Sequence, residues 1–493
     1  MPLHIARVLS RVLHFNDPAN VKTVVGLIIS AIVYFVLLFL PPSVYGMPDL
    51  TLVERRMVAI FVTAALLWVS EAVPTWVTSV IIIMVMLLTV SDSSLLPLVD
   101  YPKEQLGELI SYKSILATFS DPVIILFIGG FILAIGVGKV GLDAWMAKQL
   151  LRLFGTRSEF VLLGFIIVTA LFSAFISNTA TAAMMLAFLG PVLRSLPANG
   201  KGRIALCMAI PLGANIGGMA TPIGTPPNGI AMKYLNMPVS EGGLGMGLTF
   251  GDWAGPMLPI TLLVLVVGWL VILWMFPFNE KHIKLEIKSE MKKSYKMWMV
   301  SIAFVLTVLV WFTGQWNGID ANVAAFIPVT LLCLTGVITK KDLESLDWSV
   351  LWMVAGGFAL GLGFNKSGLA HDLVTSIPFH QWSPLAVIVG AGMICWLLSN
   401  FISNSATAAL LVPILCAVGT GMSEELASIG GTKTLLMGIA MAASLAMTLP
   451  ISTPPNAIAH STGMIRQSDM AKAGGLIGVL GFIMGYLLLI FVF

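Results

Sequence analysis

The run SAFISNTATAA at residues 173–183 sets hydroxyls and a carboxamide into a stretch that is otherwise hydrocarbon. It returns as SNFISNSATAA at 399–409, with nine of eleven positions matching. A second polar run follows each copy, TPIGTPPN at 221–228 and LPISTPPN at 449–456, matching at six of eight. None of the four runs contains Asp, Glu, Lys or Arg. Hydroxyl and amide oxygens coordinate hard cations, and helix starts hold anions through free N–H groups. A formally neutral site of this kind holds a carboxylate only when helix dipoles and accompanying cations balance its charge. The chemistry is therefore coordination of an anion together with alkali ions. The competing reading is that Ser, Asn and Thr glue packed membrane helices. Two matched copies, each followed by a Pro-Pro pair, argue against it.

Bond-making chemistry would need a nucleophile beside a base, an H-E-x-x-H helix or paired intramembrane aspartates. The six histidines, at positions 4, 14, 282, 371, 380 and 460, fall in no such spacing. No enzyme is expected, and no cofactor. Cys207, Cys333, Cys395 and Cys416 lie in or beside apolar segments at no metal-ligand spacing and read as packing residues.

The elements that position these runs follow from composition. Of 493 residues, 58% are hydrophobic and 10% charged, against about 25% charged in soluble domains. The chain is an all-α polytopic membrane protein. Candidate spans lie near 23–40, 57–70, 74–90, 120–138, 253–276, 297–314, 321–338, 346–365 and 473–492. Arg7, Arg11 and Lys22 precede a first span that ends in Pro41-Pro42, so it reads as retained rather than as a cleaved signal. Six lysines against three glutamates in 279–296 mark that linker, with the N-terminus, as cytoplasmic. Beside a membrane span, topology explains the lysines better than nucleic-acid binding does.

A third match completes the duplication: GGFILAIGVGKVGL at 129–142 and GGFALGLGFNKSGL at 356–369 agree at eight of fourteen positions. The expected layout is an N-terminus and first helix over 1–54, repeat one over 55–278, the linker 279–296 and repeat two over 297–493. A cytoplasmic linker between the copies makes their orientations opposite, the inverted architecture of many secondary transporters. Each Ser-Asn run is expected at the tip of a re-entrant hairpin, about 158–193 and about 384–417, because irregular backbone survives at membrane depth only where protein or water satisfies it. Each Pro-Pro pair is expected to break a helix, about 204–236 and about 433–463. The break should expose carbonyls on one side and amides on the other, with Gly213, Gly217, Gly218 and Gly224 loosening the first copy. Paired hairpins at a central site favour occlusion over a continuous pore.

The paired SNT and SNS motifs, the two TPPN loops and SEAVP at 70–74 resemble the divalent anion/sodium symporter family, the INDY-type di- and tricarboxylate transporters. The resemblance runs from about residue 55 to the end. It implies eleven transmembrane helices plus two opposed hairpins, and a homodimer in the cell membrane working by an elevator mechanism. It further implies a first sodium site at Ser173, Ser177, Asn178 and Gly224, and a second at Ser399, Ser403, Asn404 and Ser452. Substrate carboxylates would meet Asn178, Thr179, Asn404 and Ser405, with Pro454 lining the pocket. Ser405 replaces the family's usual threonine, which bears on substrate preference.

His460 stands where the family usually has an apolar residue. It is read either as a titratable substitute for an ion or as a locally bonded ring. Three functions are weighed: sodium-coupled symport of C4 dicarboxylates, with tricarboxylates as a second class, sodium-independent dicarboxylate exchange, and the weaker case of sulfate transport. Lys139 and Lys366 match between repeats and read as snorkelling side chains. Glu71 reads as a loop or capping residue before it reads as a relay acid. Segments 142–157 and 368–380 look amphipathic enough to lie along the interface as arms.

Overall fold

The computed structural model describes residues 18–45, 47, 49–194, 196–197, 200–283, 294–376 and 381–493. Arg7, Arg11, residues 284–293 of the basic linker and the end of the 368–380 segment lie outside the described residues. Apart from two isolated bridges, every described element is a helix. Seven are long and apolar enough to cross a bilayer: Val21–Phe39, Tyr112–Lys139, Phe250–Met275, Tyr295–Phe312, Trp348–Lys366, Asn404–Gly421 and Gln467–Phe491. An eighth arises if Ser423–Ile429 and Gly431–Ser444, bent by 69°, form one span.

The chain divides into two compact units, Met1–Phe119 with Trp352–Pro378 and Ser120–Leu351 with Phe379–Phe493. The first unit opens with α1 (Pro18–Phe39), α2 (Leu52–Ser70) and α3 (Thr75–Thr89). The second holds α4 (Pro122–Lys139), α5 (Leu142–Arg152), α6 (Ser158–Ser173), α7 (Asn178–Arg194), α8 (Lys201–Gly218), α9 (Pro226–Asn236), α10 (Phe250–Met275), α11 (Tyr295–Phe312) and α12 (Phe326–Leu334). The chain returns to the first unit along α13 (Trp348–Lys366) and α14 (Leu369–Ser376). It then adds α15 (Pro384–Ser399), α16 (Asn404–Gly421), α17 (Gly431–Ser444), α18 (Pro454–Ser461) and α19 (Gln467–Phe491) to the second.

In the first unit, Thr51 and Glu54 cap the start of α2 reciprocally. The next two residues close other helices. Arg55 Nη2 donates to Leu38 O at 2.6 Å and Leu40 O at 2.9 Å, and Arg56 Nη1 donates to Thr89 O at 2.8 Å. Cations are favoured at such carbonyl ends, which is why a charged turn is tolerated at the head of an apolar helix. Glu71 ends α2 in the left-handed region, at φ 46°, with its side chain exposed.

The second unit corrects one expectation. Gly213 and Gly217 lie inside α8 and do not loosen it. A Cβ on Gly213 would fall 2.6 Å from Ile166 O, and one on Gly217 would fall 2.3 Å from Ala170 Cα. This four-residue glycine spacing lets the backbones of α6 and α8 touch, the small-residue packing of membrane helices. Both ends of α4 are pinned by charge. Asp121, its N-cap, meets Lys233 Nζ of α9 at 2.7 Å with both side chains largely buried. Lys139, at the other end, donates to Val337 O at 2.9 Å and pairs with Asp342 at 2.7 Å. That lysine is paired, where snorkelling was expected. One face of α5 is buried through Leu142, Ala147 and Leu151 while Trp145 stays exposed.

Candidate functional site

Both Ser-Asn runs form tight turns between antiparallel helices of the second unit. In the first, α6 ends at Ser173, four residues turn the chain, and α7 begins at Asn178. Ser173 is wholly buried; its Oγ lies 2.5 Å from Asn178 Oδ1 and 2.7 Å from Ala214 O. A serine hydroxyl carries one hydrogen, so three oxygens share a single proton. Such a cluster is short of donors and suits a cation. Asn178 is held from behind by Gly218, where a Cβ would lie 2.6 Å from Asn178 Oδ1. Ser177 is half-buried and its carbonyl accepts from Thr181 N at 2.9 Å, while Thr179 is exposed.

In the second turn, α15 ends at Ser399 and α16 begins at Asn404. Ser403 caps α16, its Oγ accepting from Ala406 N at 3.2 Å. Asn404 Oδ1 is buried with no hydrogen-bond partner among the described residues, and the buried Ser399 Oγ meets only the weak thiol of Cys395 there. Leaving such groups unpaired costs about 1–3 kcal/mol each, a cost that a bound water or ion offsets. Ser405 is half-buried and Pro454 exposed.

The broken helices resolve differently from expectation. The breaks precede the prolines: α8 stops at Gly218 and α17 at Ser444, and Pro226 and Pro454 occupy the first helical position of α9 and α18. Proline suits that position because its missing N–H would be unpaired there anyway. The third residue of each half-helix donates inward, Asn228 N to Thr225 O at 3.1 Å and Asn456 N to Thr453 Oγ1 at 3.3 Å. These two starts therefore offer an anion no free N–H in their first three residues. The donors come from the hairpins instead: the N–H groups of Thr179, Ala180, Asn404 and Ser405 make no hydrogen bond among the described residues.

Sequence reasoning missed the residue that ends each TPPN run. Asn228 Nδ2 donates to Gly218 O at 2.9 Å and Thr221 O at 2.7 Å, and Asn456 Nδ2 donates to Met447 O and Leu449 O, each at 2.9 Å. These carboxamides staple the breaks by satisfying the freed carbonyls. Their repetition at identical places was the available signal. Gly224 folds back until a Cβ there would lie 2.2 Å from Gly218 O, and Ser452 Oγ donates to Asn400 O at 2.9 Å.

Among the bonds that join the copies, Asn215 Nδ2 in α8 donates to Asn456 Oδ1 in α18 at 3.0 Å, with both residues buried. The elements follow the same exchange, since α7 and α8 pack on α18 while α9 packs on α16 and α17. Each hairpin thus lies against the broken helix of the other repeat. A chain of contacts runs from Asn178 through Gly218, Asn215, Asn456, Leu449 and Ser452 to Asn400, four residues before Asn404. His460 sits in the last turn of α18, half-buried, about 9 Å along the axis from Pro454 at 1.5 Å per residue.

A duplicated, multi-pass helical membrane protein with uncharged polar runs at its helix turns and breaks has the build of a membrane transporter, and the family that its sequence matches is one of transporters, not of enzymes. The chain belongs to the citrate transporter family, CitMHS, of the divalent anion/sodium symporter type; the family model matches residues 65–430. An uncharacterized transporter of Haemophilus influenzae is 34% identical over 448 residues, covering 85% of this chain and 88% of that protein. The sodium-dependent dicarboxylate transporter SdcS of Staphylococcus saprophyticus is 28% identical over 97% of this chain and 92% of its own length. Among solved structures, the Alcanivorax borkumensis YdaH transporter superposes with a TM-score of 0.57 at 11% identity, covering 85% of this chain and 98% of that one. Neisseria gonorrhoeae MtrF superposes with a TM-score of 0.55 at 13% identity, covering 88% and 98%. At such identities the likeness is one of fold.

Proposed function

We propose that this protein carries C4 dicarboxylates of the succinate, malate and fumarate class, with tricarboxylates as a second class, in symport with sodium. The observation that carries this reading is the paired turns: oxygens short of protons at Ser173, Asn178 and Ala214, and buried oxygens that no oxygen or nitrogen of the described residues partners at Ser399 and Asn404. Neutral oxygens in apolar surroundings bind sodium, and the bound ions offset a dianion held by the free N–H groups and side chains of Asn178, Thr179, Asn404 and Ser405. Ser177, Gly224, Ser403 and Ser452 complete the two ion sites, and Pro454 lines the substrate site. Sodium-dependent dicarboxylate transport by the SdcS relatives supports the same class.

The layout proposed with it has eleven spans, two re-entrant hairpins and inverted repeats, and the protein works as a homodimeric elevator in the cell membrane. The base of the first hairpin is stitched to the head of the basic linker: Ser158 N donates to Lys281 O at 3.2 Å, Ile283 N to Thr156 O at 2.7 Å, and Thr156 Oγ1 lies 3.2 Å from His282 Nδ1. With the linker cytoplasmic by its charge, that hairpin enters from the cytoplasm and its counterpart from the other side. His460, a helix length from the tip, stays outside the coordinating set.

Uptake of radiolabelled succinate into proteoliposomes tests the function. Accumulation into empty vesicles driven by an inward sodium gradient is expected. Uptake that requires internal dicarboxylate and ignores sodium would replace symport with exchange, and would reopen His460 as the charge that stands in for an ion.

A further inference from the structure

The two copies of the site differ in a way the duplication makes easy to see. Where repeat one has Ala174, Ala220 and Gly224, repeat two has Asn400, Thr448 and Ser452. The three replacements add a polar side chain at the second turn (Asn400) and in the second helix break (Thr448 and Ser452), and two are consumed within the protein. Asn400 Oδ1 accepts from Thr448 N at 2.9 Å and its Nδ2 donates to Trp396 O at 2.8 Å. Ser452 Oγ accepts from Leu449 N at 3.0 Å and donates to Asn400 O at 2.9 Å. The second bond replaces one that repeat one makes from another position, Thr221 Oγ1 to Ala174 O.

Thr448 is the exception. Its Oγ1 is buried and has no hydrogen-bond partner among the described residues. Its backbone is bonded to Asn400, the neighbour of Ser399, and its methyl lies toward Gly475. At the same turn Ser399, wholly buried, meets only the weak thiol of Cys395, and Asn404 Oδ1 is unpartnered among the described residues. The Thr448 and Ser399 hydroxyls and the Asn404 carboxamide oxygen thus lie buried on the turn and on the segment bonded to it, with no basic side chain among them, a neutral oxygen set that fits a monovalent hard cation.

We infer that Thr448 is a cation-binding residue of the second site, supplying a side-chain oxygen that the first site lacks at Ala220. The second site therefore binds sodium more tightly and fills first, so the two sites load in order. This rests on the sodium-coupled reading above.

The test is a sodium titration, with choline as the inert replacement, of succinate uptake and of thermal stabilisation of the purified protein. Wild type is compared with Thr448→Val, which keeps the shape and loses the hydroxyl, and Thr448→Ser, which keeps the hydroxyl. The expected result is a rise of about tenfold in half-saturating sodium for the valine variant in both readouts, with serine close to wild type. A valine curve that superimposes on wild type overturns the assignment and leaves sodium coupling intact. Equal shifts in valine and serine also overturn it, because any change of packing at this position then has the same effect whether or not the hydroxyl is kept. A wild type indifferent to sodium in both readouts overturns the parent reading and this one together. If the valine variant does not fold in choline, Thr448→Cys makes the same comparison, with soft sulfur in place of hard oxygen.

Discussion

Gly218 is the residue on which the placement of Asn178 turns. It closes α8, and a Cβ there would lie 2.6 Å from Asn178 Oδ1, 3.0 Å from Nδ2 and 3.2 Å from Cγ. Ordinary contact begins at 3.4 Å, so Gly218→Ala moves the carboxamide by 3.4 − 2.6 = 0.8 Å. That displacement breaks the 2.5 Å contact with Ser173 and opens the oxygen cluster. A misplacement of about 1 Å in a binding group costs up to about 100-fold, so transport at low substrate should fall by roughly 10- to 100-fold, or about 1.4–2.7 kcal/mol. The fold should survive, because alanine is favoured over glycine in a helix by roughly 0.5–1 kcal/mol and the neighbour that yields is a side chain. Gly130→Ala is the control, since its nearest neighbour is Ile223 Cδ1 at 4.0 Å. Initial succinate uptake at several sodium concentrations, beside a thermal melt, measures both. If Gly218→Ala transports like Gly130→Ala at every sodium concentration, Asn178 does not hold ion or substrate.

Other consequences are open to direct measurement. Asn404→Ala should abolish most uptake while leaving the sodium-free melting temperature unchanged or raised, because it removes an oxygen that no protein group satisfies; a large drop in melting temperature would make Asn404 structural. Lys233→Met strands the Asp121 carboxylate, only 14% exposed, and should cost about 3–5 kcal/mol in equilibrium unfolding. Adding Asp121→Asn, which keeps the cap on α4, should recover much of that loss; no recovery would mean the damage is packing. Asp342 is held at about 2, below its ordinary 3.8, by its hydrogen bonds with Lys139 and Thr339. A carboxyl lowered in the folded state stabilises fully above its ordinary value and loses that contribution as pH falls through the folded one. The Lys139–Asp342 pair should therefore contribute fully and without pH dependence to thermal melts between pH 5 and 8, and Lys139→Gln should flatten the melt's dependence on pH only below about pH 4.

Much of this protein was legible because it is written twice. Paired runs at 173–183 and 399–409, and at 221–228 and 449–456, located both turns and both helix breaks without any contact information. Their lack of charge is what the proposed coordination of ions rests on. Hydrophobic spacing gave the helical membrane class, although α2, which opens on Glu54, Arg55 and Arg56, and the short α12 fall outside the helices that meet the length and composition of a span.

What the sequence left open depends on partners far apart in the chain. Glycines at 213 and 217 look like helix breakers until α6 is laid against them. A Pro-Pro pair says that a helix changes there, but whether it ends or begins one depends on where the carbonyls freed upstream are satisfied, and Asn228 and Asn456 decide that. The bond from Asn215 to Asn456 spans 241 residues, and nothing in a single sequence links those positions. The difference between Thr448 and its engaged neighbours Asn400 and Ser452 is likewise invisible in one dimension. All three are polar residues in an apolar chain, and only the fold determines which of them has its hydrogen bonds filled.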